Sequence, residues 1–383
     1  MLAQRWAPKD LNDRFGSERQ SWEGIEAVAV DVAAAFATAD AELDPMFETV
    51  WGWATDVANT APEDSIDSSN DDDPLTTAIN RPWGKGLEAQ LALALWHLRH
   101  RDTLPADLPS QLTRCLDPDD SRAMHYRAIL ARWRPILEDH ISDWYETHRD
   151  ALFRDERVGP ATLELTLHWS RPTQDFVATF RDELISTAHA GNRDAITWAL
   201  IACLNEEDGY DVPLVLDMAS GSADTTAAVA TETARLVGPA DIEAPMLDIG
   251  FQIWTALIDA DRDAVPLSSL ASLGAWARID ATPDPRWTDL MERTLDITAG
   301  EIDEPSDIAR TLRDLQPSNH HLAMLLPLLT KGDLWEQMYT QDLAVESLRL
   351  GPRPASSEFH QLRDRLLELG RHDVMGIDPD EPE

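Results

Sequence analysis

The chain has 383 residues, 43% of them apolar, which supplies a large core and argues against global disorder. Lys and Arg total 32 and Asp and Glu total 70, a formal net charge of −38. This balance excludes nucleic acid and anionic membrane surfaces as direct partners, because both are held by clustered Lys and Arg.

The basic residues are biased: the lysines are Lys9, Lys85 and Lys331, and the rest are arginines. Low lysine with excess acid fits a halophilic, high-salt cytoplasm, and a GC-rich coding bias produces the same pattern. Cys115 and Cys203 lie far apart in apolar helical settings, so no disulfide framework is expected and a reducing, cytoplasmic setting is the simple reading. Met1 to Asp10 has no apolar run of the signal-peptide kind. The longest apolar stretch, Leu87 to Leu98, is too short to cross a bilayer and is interrupted by Glu88, Gln90 and His97.

In chain order, Ser17 with Gln20 reads as the cap of a helix running to about Ala41, and Asp44-Pro45 opens the next. Residues 1–59 form an N-terminal helical segment. An acidic loop over 60–75 follows, with Pro62 and the run Ser68 to Asp73. A helical-repeat array is expected over 76–370. Asn80 and Pro82 start a helix ending near His100, and further helices are predicted near 106–116, 120–134, 141–153, 159–170, 172–189 and 192–206. The series continues near 223–236, 244–260, 266–277, 284–299, 306–316, 319–330, 333–349 and 356–370. Leu247, Phe251, Trp254 and Ile258 show the helical period, as do Phe359, Leu362, Leu366 and Leu369 before Gly370. Residues 371–383 read as a disordered acidic tail. Alternating strand patterns are absent. The fold class is therefore all-α, an α-solenoid of stacked antiparallel helix pairs of the HEAT kind, with no significant β-sheet.

Chemical constellations are weak. Gly84-Lys85-Gly86 lacks the glycine spacing, the Ser or Thr and the preceding strand of a phosphate loop, and reads as a helix start. His97 and His100, with Asp102 near, want a third metal ligand that no spacing supplies, and adjacent His320 and His321 point apart. The run Asp64 to Asp73 lacks the Gly and Glu of a calcium loop in register. Gly221-Ser222 is no nucleophile elbow. Neither Cys115 nor Cys203 has a base partner in its neighbourhood, and acid pairs such as Glu206-Glu207 carry little information in so acidic a chain. Most of the 14 tryptophans sit at core spacing. No catalytic, cofactor-binding or metal-ligating residue is assigned.

One segment stands out: Asp73-Pro74-Leu75-Thr76-Thr77-Ala78-Ile79-Asn80-Arg81-Pro82-Trp83-Gly84-Lys85-Gly86-Leu87-Glu88-Ala89. Its Asn80, Pro82, Gly84, Lys85, Gly86 and Glu88 resemble a signature in the C-terminal helical region of large prokaryotic sirtuin-like and P-loop NTPase-type anti-phage defence proteins. Arg127-Ala128-Ile129-Leu130, Trp133, Pro135, Asp143-Trp144 and Leu152-Phe153 are similar to that region's next helices in the same order. The resemblance implies a helical-repeat scaffold or sensor whose chemistry belongs to another domain. The expected partner is then a separate effector domain or a phage protein, and no cofactor is expected. The competing expectations are a stand-alone enzyme built from scattered groups such as His97, His100 and Asp102, and a remnant of a split multidomain effector.

Overall fold

The computed structural model describes residues 34, 43, 45–60, 73–205, 212–239, 241–278, 284–351 and 356–377. Among them the regular structure is helical and no strand occurs. Apart from helical Ala34, the helix expected over Ser17 to Ala41 lies outside the described residues, as do most of the 60–75 loop and the end of the acidic tail. Within the span expected as one array, the chain divides between Arg171 and Pro172 into two compact units. A residue preceding proline is steered away from helical backbone, so a helix stops readily there.

The first unit contains α1 (Phe47–Ala58), α2 (Pro74–Ile79), α3 (Pro82–Arg101), α4 (Leu108–Arg114), α5 (Ala123–His140), α6 (Ser142–Phe153) and α7 (Gly159–Trp169). The Asp73 carboxylate caps α2, accepting from Thr76 N–H at 3.0 Å, and Pro74 sits in the first turn, where its missing N–H costs nothing. The 60–75 loop thus ends at Asp73, and α2 is a helix the periodicity did not announce. Asn80 closes α2 by donating from Nδ2 to Thr76 O at 2.8 Å, and Pro82 opens α3. Helix α3 is buried on several sides, as its apolar circumference predicts, with Leu87, Leu91, Leu93 and Trp96 in the core. It packs on α1, while α5 packs on α7.

The second unit contains α8 (Gln174–Thr179), α9 (Arg181–His189), α10 (Arg193–Leu204), α11 (Val212–Ala219), α12 (Ala223–Val237) and α13 (Ala244–Asp259). A 3₁₀ segment (Leu267–Arg278) follows, then α14 (Pro285–Thr298), α15 (Pro305–Asp314), α16 (Asn319–Leu325), a short 3₁₀ turn (Leu326–Leu328), α17 (Leu334–Leu350), α18 (Ser357–Glu368) and a last 3₁₀ turn (His372–Gly376). Packing partners lie mostly two elements apart. One series runs α10, α12, the 3₁₀ segment, α15 and α17; the other joins α9 to α11, α11 to α13, α13 to α14, and α16 to α18. Side-chain bonds between these neighbours recur at similar separations, from 28 residues (His189 to Asp217) to 40 (Trp254 to Thr294). Trp254, Trp276 and Trp287 fill the centre; Trp254 donates to Thr294 Oγ1 at 3.1 Å and Trp287 to Trp276 O at 2.9 Å.

Several elements differ from the periodicity reading. The helix expected over 172–189 breaks at Phe180 into α8 and α9, and α11 was not anticipated. The helix expected over 266–277 is 3₁₀ instead. Leu267, Leu270, Leu273 and Trp276 recur at intervals of three, which stacks them along a helix of three residues per turn, and the last three are wholly buried. Gly274 lets Asp303 approach this segment: a Cβ there would lie 1.8 Å from Asp303 O, and Asp303 N–H donates to Ala271 O at 2.9 Å. Within the tail expected over 371–383, His372–Gly376 is a 3₁₀ turn and Val374 is buried; residues 378–383 lie outside the described residues.

Candidate functional site

The signature segment is used in packing. A Cβ on Gly84 would lie 2.0 Å from Ala78 O, and one on Gly86 would lie 2.3 Å from Ala58 N, so both glycines admit backbone into contact with the first turn of α3. Lys85 N–H donates to Arg81 O at 3.0 Å within that turn. Glu88 pairs with Arg132 of α5 at 3.0 Å. Arg127, deep in the same unit, is buried without a carboxylate in hydrogen-bond reach. Its guanidinium donates to the carbonyls of Leu116 (3.2 Å), Ala151 (3.2 Å) and Leu152 (2.9 Å) and to Thr162 Oγ1 (3.2 Å). A cation at the C-terminal ends of two helices is placed where the helix dipoles are negative. Burial lowers its pKa, and the field of Asp155 opposes that.

The residues of the enzyme expectation lie together at the C-terminal end of α3, the two histidines with different packing partners. His97 donates from Nδ1 to Thr103 O at 2.5 Å and its ring packs 4.7 Å from Phe47, whereas the His100 ring stacks on Trp96 at 4.4 Å. Asp102 ends α3 in the left-handed conformation, with φ 55°. Among the described residues no three His, Cys, Asp or Glu side chains are grouped to hold a metal ion.

A cavity of about 230 Å³ lies near Cys115, lined by residues that include Gln90, Gln111, Arg114, Asp120, Arg122 and Tyr126. Burial pushes the Cys115 thiol up to about 12 despite the nearby Arg114 and Arg122, which favours its neutral form. Arg122 and Asp120 form a bidentate pair at 2.9 and 2.8 Å, and Arg122 also donates to Thr60 O at 3.1 Å. Gln111 donates to Asp107 at 2.6 Å and Trp51 donates to the same carboxylate at 3.1 Å. The Trp51 bond ties α1 to the start of α4, and Gln90 of α3 donates to Thr55 Oγ1 of α1 at 3.0 Å. A shallower groove of about 590 Å³ between α13 and α14 is crossed by Arg286, which lies 4.6 Å over the Phe251 ring and pairs with Asp248 at 2.7 Å.

The feature that packing does not explain is the start of α17. Asp333 caps it, accepting from Trp335 N–H at 2.8 Å and Glu336 N–H at 2.9 Å, while Glu336 accepts from Asp333 N–H at 3.0 Å. Thr340, Leu343, Ala344, Val345, Ser347 and Leu348 are its buried residues. Another apolar set faces water: Leu334 is 69% exposed, Trp335 77%, Met338 49% and Tyr339 43%. Tyr339 is held in place by Arg310, whose guanidinium lies 5.4 Å over the ring and donates to the phenol oxygen at 3.4 Å. Arg310 is itself braced by Asp307 at 2.7 Å, which also takes Arg278 at 2.7 Å. Such a cluster on one helix face is large for a surface whose other exposed side chains are mostly polar.

Sequence reasoning placed a helix over 333–349 and passed over this set. Phase does not mark the set: Tyr339 lies one turn before buried Leu343 and Met338 two turns before buried Val345, so residues sharing a face are exposed in the first turns of α17 and covered further along. No family model, no curated protein and no solved structure matches this chain.

Proposed function

We propose that the chain is a non-catalytic helical-repeat module that binds another protein through the exposed face at the start of α17. The observation that carries the reading is the exposure of Trp335 with Leu334, Met338 and Tyr339 on one rigidly capped helix end. Large aromatic side chains anchor protein interfaces, and burying each contributes about 1.5–3 kcal/mol. In this proposal, helix pairs stack within each unit in the manner of a HEAT-like α-solenoid. The i to i+2 packing and the recurrent separation of side-chain bonds support that arrangement. Repeats of this kind expose long surfaces for partners. A role in prokaryotic anti-phage defence, with a separate effector or a phage protein as partner, rests on the resemblance of the Asn80 to Glu88 segment.

The test is a photo-crosslinking residue at position 338, with a control at exposed Thr231 on α12, in cells of the source organism. The expected result is one discrete adduct at 338 that disappears when Trp335→Ala is added. An adduct pattern identical to that of the control position removes the docking face. Deletion of the gene with no change in phage plating removes the defence role and leaves the docking face standing.

A further inference from the structure

We infer that the α17 face receives a basic amphipathic helix of a partner protein; this rests on the docking reading above. The apolar part of the face is short. Leu334 to Tyr339 spans about one and a half turns, or roughly 8 Å of helix axis. That length suits two apolar anchors placed at i and i+4 on a helix laid along α17. It is too short for affinity from apolar contact alone, so the charges beyond it decide what lies there.

Past Tyr339 the exposed arc of α17 continues through Asp342 and Glu346. The arginines beside them are oversubscribed. Arg371 is shared between Asp342 (2.6 Å) and Asp373 (3.0 Å), and Arg313 between Glu346 (2.7 Å) and Asp314 (2.7 Å). Two guanidiniums thus serve four carboxylates, and Arg349 is the further cation on the helix. With Arg349 counted, three cations stand against four carboxylates, so the face presents apolar anchors at one end and a net excess of one carboxylate at the other, inside a chain of net charge −38. A helix with its apolar pair over Trp335 and Met338 and Lys or Arg in its next two turns complements both ends. A second copy of this chain does not, because it brings the same excess of carboxylate to the contact.

The experiment uses the full chain and three synthetic peptides of about twenty residues. One carries Leu and Trp at i and i+4 followed by four Lys or Arg; one replaces those cations by Glu; one scrambles the cationic sequence. Titration calorimetry at 0.05 and 0.5 M salt is read for the native chain, for Trp335→Ala and for Asp342→Asn combined with Glu346→Gln. Circular dichroism checks that each variant is folded. The cationic peptide is expected to bind in the micromolar range, at least tenfold more weakly to W335A, and several-fold more weakly to the double variant with a reduced salt dependence. The glutamate and scrambled peptides are expected to bind at least tenfold more weakly than the cationic one. Equal binding of the cationic peptide to native chain and W335A attributes it to diffuse charge and overturns the inference. If the glutamate peptide binds as tightly and still needs Trp335, the docking reading survives and the basic occupant does not. A sedimenting dimer that W335A dissolves makes the occupant a second copy and likewise overturns the inference.

Discussion

Gly52 and Gly86 are both helical glycines of the first unit, and substituting Ala at each should move stability in opposite directions. Gly52 lies within α1 with nothing within 4 Å of a Cβ built on it, so Gly52→Ala adds helix propensity without a clash and stabilises by about 0.5–1 kcal/mol. At Gly86 the same Cβ meets Ala58 N at 2.3 Å, Ala58 Cα at 2.7 Å and Ala54 O at 2.9 Å, all backbone of α1. Restoring ordinary contact at 3.4 Å needs a displacement of at least 1.1 Å (3.4 − 2.3) between α1 and α3. Overpacking of this kind costs about 1–3 kcal/mol, and here backbone rather than a movable side-chain tip must give, so the upper half applies. With the propensity gain subtracted, Gly86→Ala should destabilise by about 2 kcal/mol. Urea unfolding followed by far-ultraviolet circular dichroism reads both as midpoint shifts at constant slope. A Gly86→Ala variant as stable as Gly52→Ala would refute the close packing of α1 on α3, and with it the explanation of Gly86.

Arg127→Met should cost about 3 kcal/mol, because the carbonyls of Leu116, Ala151 and Leu152 each lose a donor in a buried site; a loss below about 1 kcal/mol in the same urea assay would count against the capping role. Cys115, raised to about 12 by burial, should resist iodoacetamide at pH 8 in the native protein and react in urea; peptide mapping by mass spectrometry shows which. Trp335→Ala should leave the urea midpoint within about 0.5 kcal/mol of native, since the ring is exposed; a larger loss would place it in the fold rather than on a docking face. Burial, aided by His320, lowers the His321 pKa, and its neutral Nδ1 accepts from Ser318 N–H at 3.4 Å. The unfolded chain then takes up the proton first. The His321 contribution is complete above the unfolded pKa of about 6.5 and is lost as pH falls through the lower folded value. His321→Gln keeps an acceptor without titrating, so its midpoint relative to native should improve as pH drops below 6.5; parallel profiles would contradict this.

The helical class was legible because buried stripes repeat over many turns, as in Leu247, Phe251, Trp254 and Ile258, where no strand period competes. The short elements were not. Helix α11 has eight residues and carries Pro213 in its first turn, so it offers barely two turns of period. The 3₁₀ segment escaped because spacings of three and of 3.6 drift apart by less than one residue per turn, and only the run from Leu267 to Trp276 is long enough to separate them. The ion pairs across neighbours, such as Arg313 with Glu346, depend on which helix lies beside which, and that is a property of the tertiary packing. The exposed set on α17 was hidden for a related reason. Leu, Trp, Met and Tyr are core residue types, and whether they are covered depends on neighbours that a single sequence does not name.

The recurrence of bonds at 28 to 40 residues has a consequence for biosynthesis. A helix emerging from the ribosome finds its partner already made, one hairpin earlier, and need not wait for the far end of the polypeptide. Contacts so local close only small loops, which places the second unit among topologies that fold quickly and offer little sticky surface while incomplete. Growth would then proceed like laying courses of brick, each resting on the last. By the time the first residues of α17 are added, α15, the helix they pack against, is already in place.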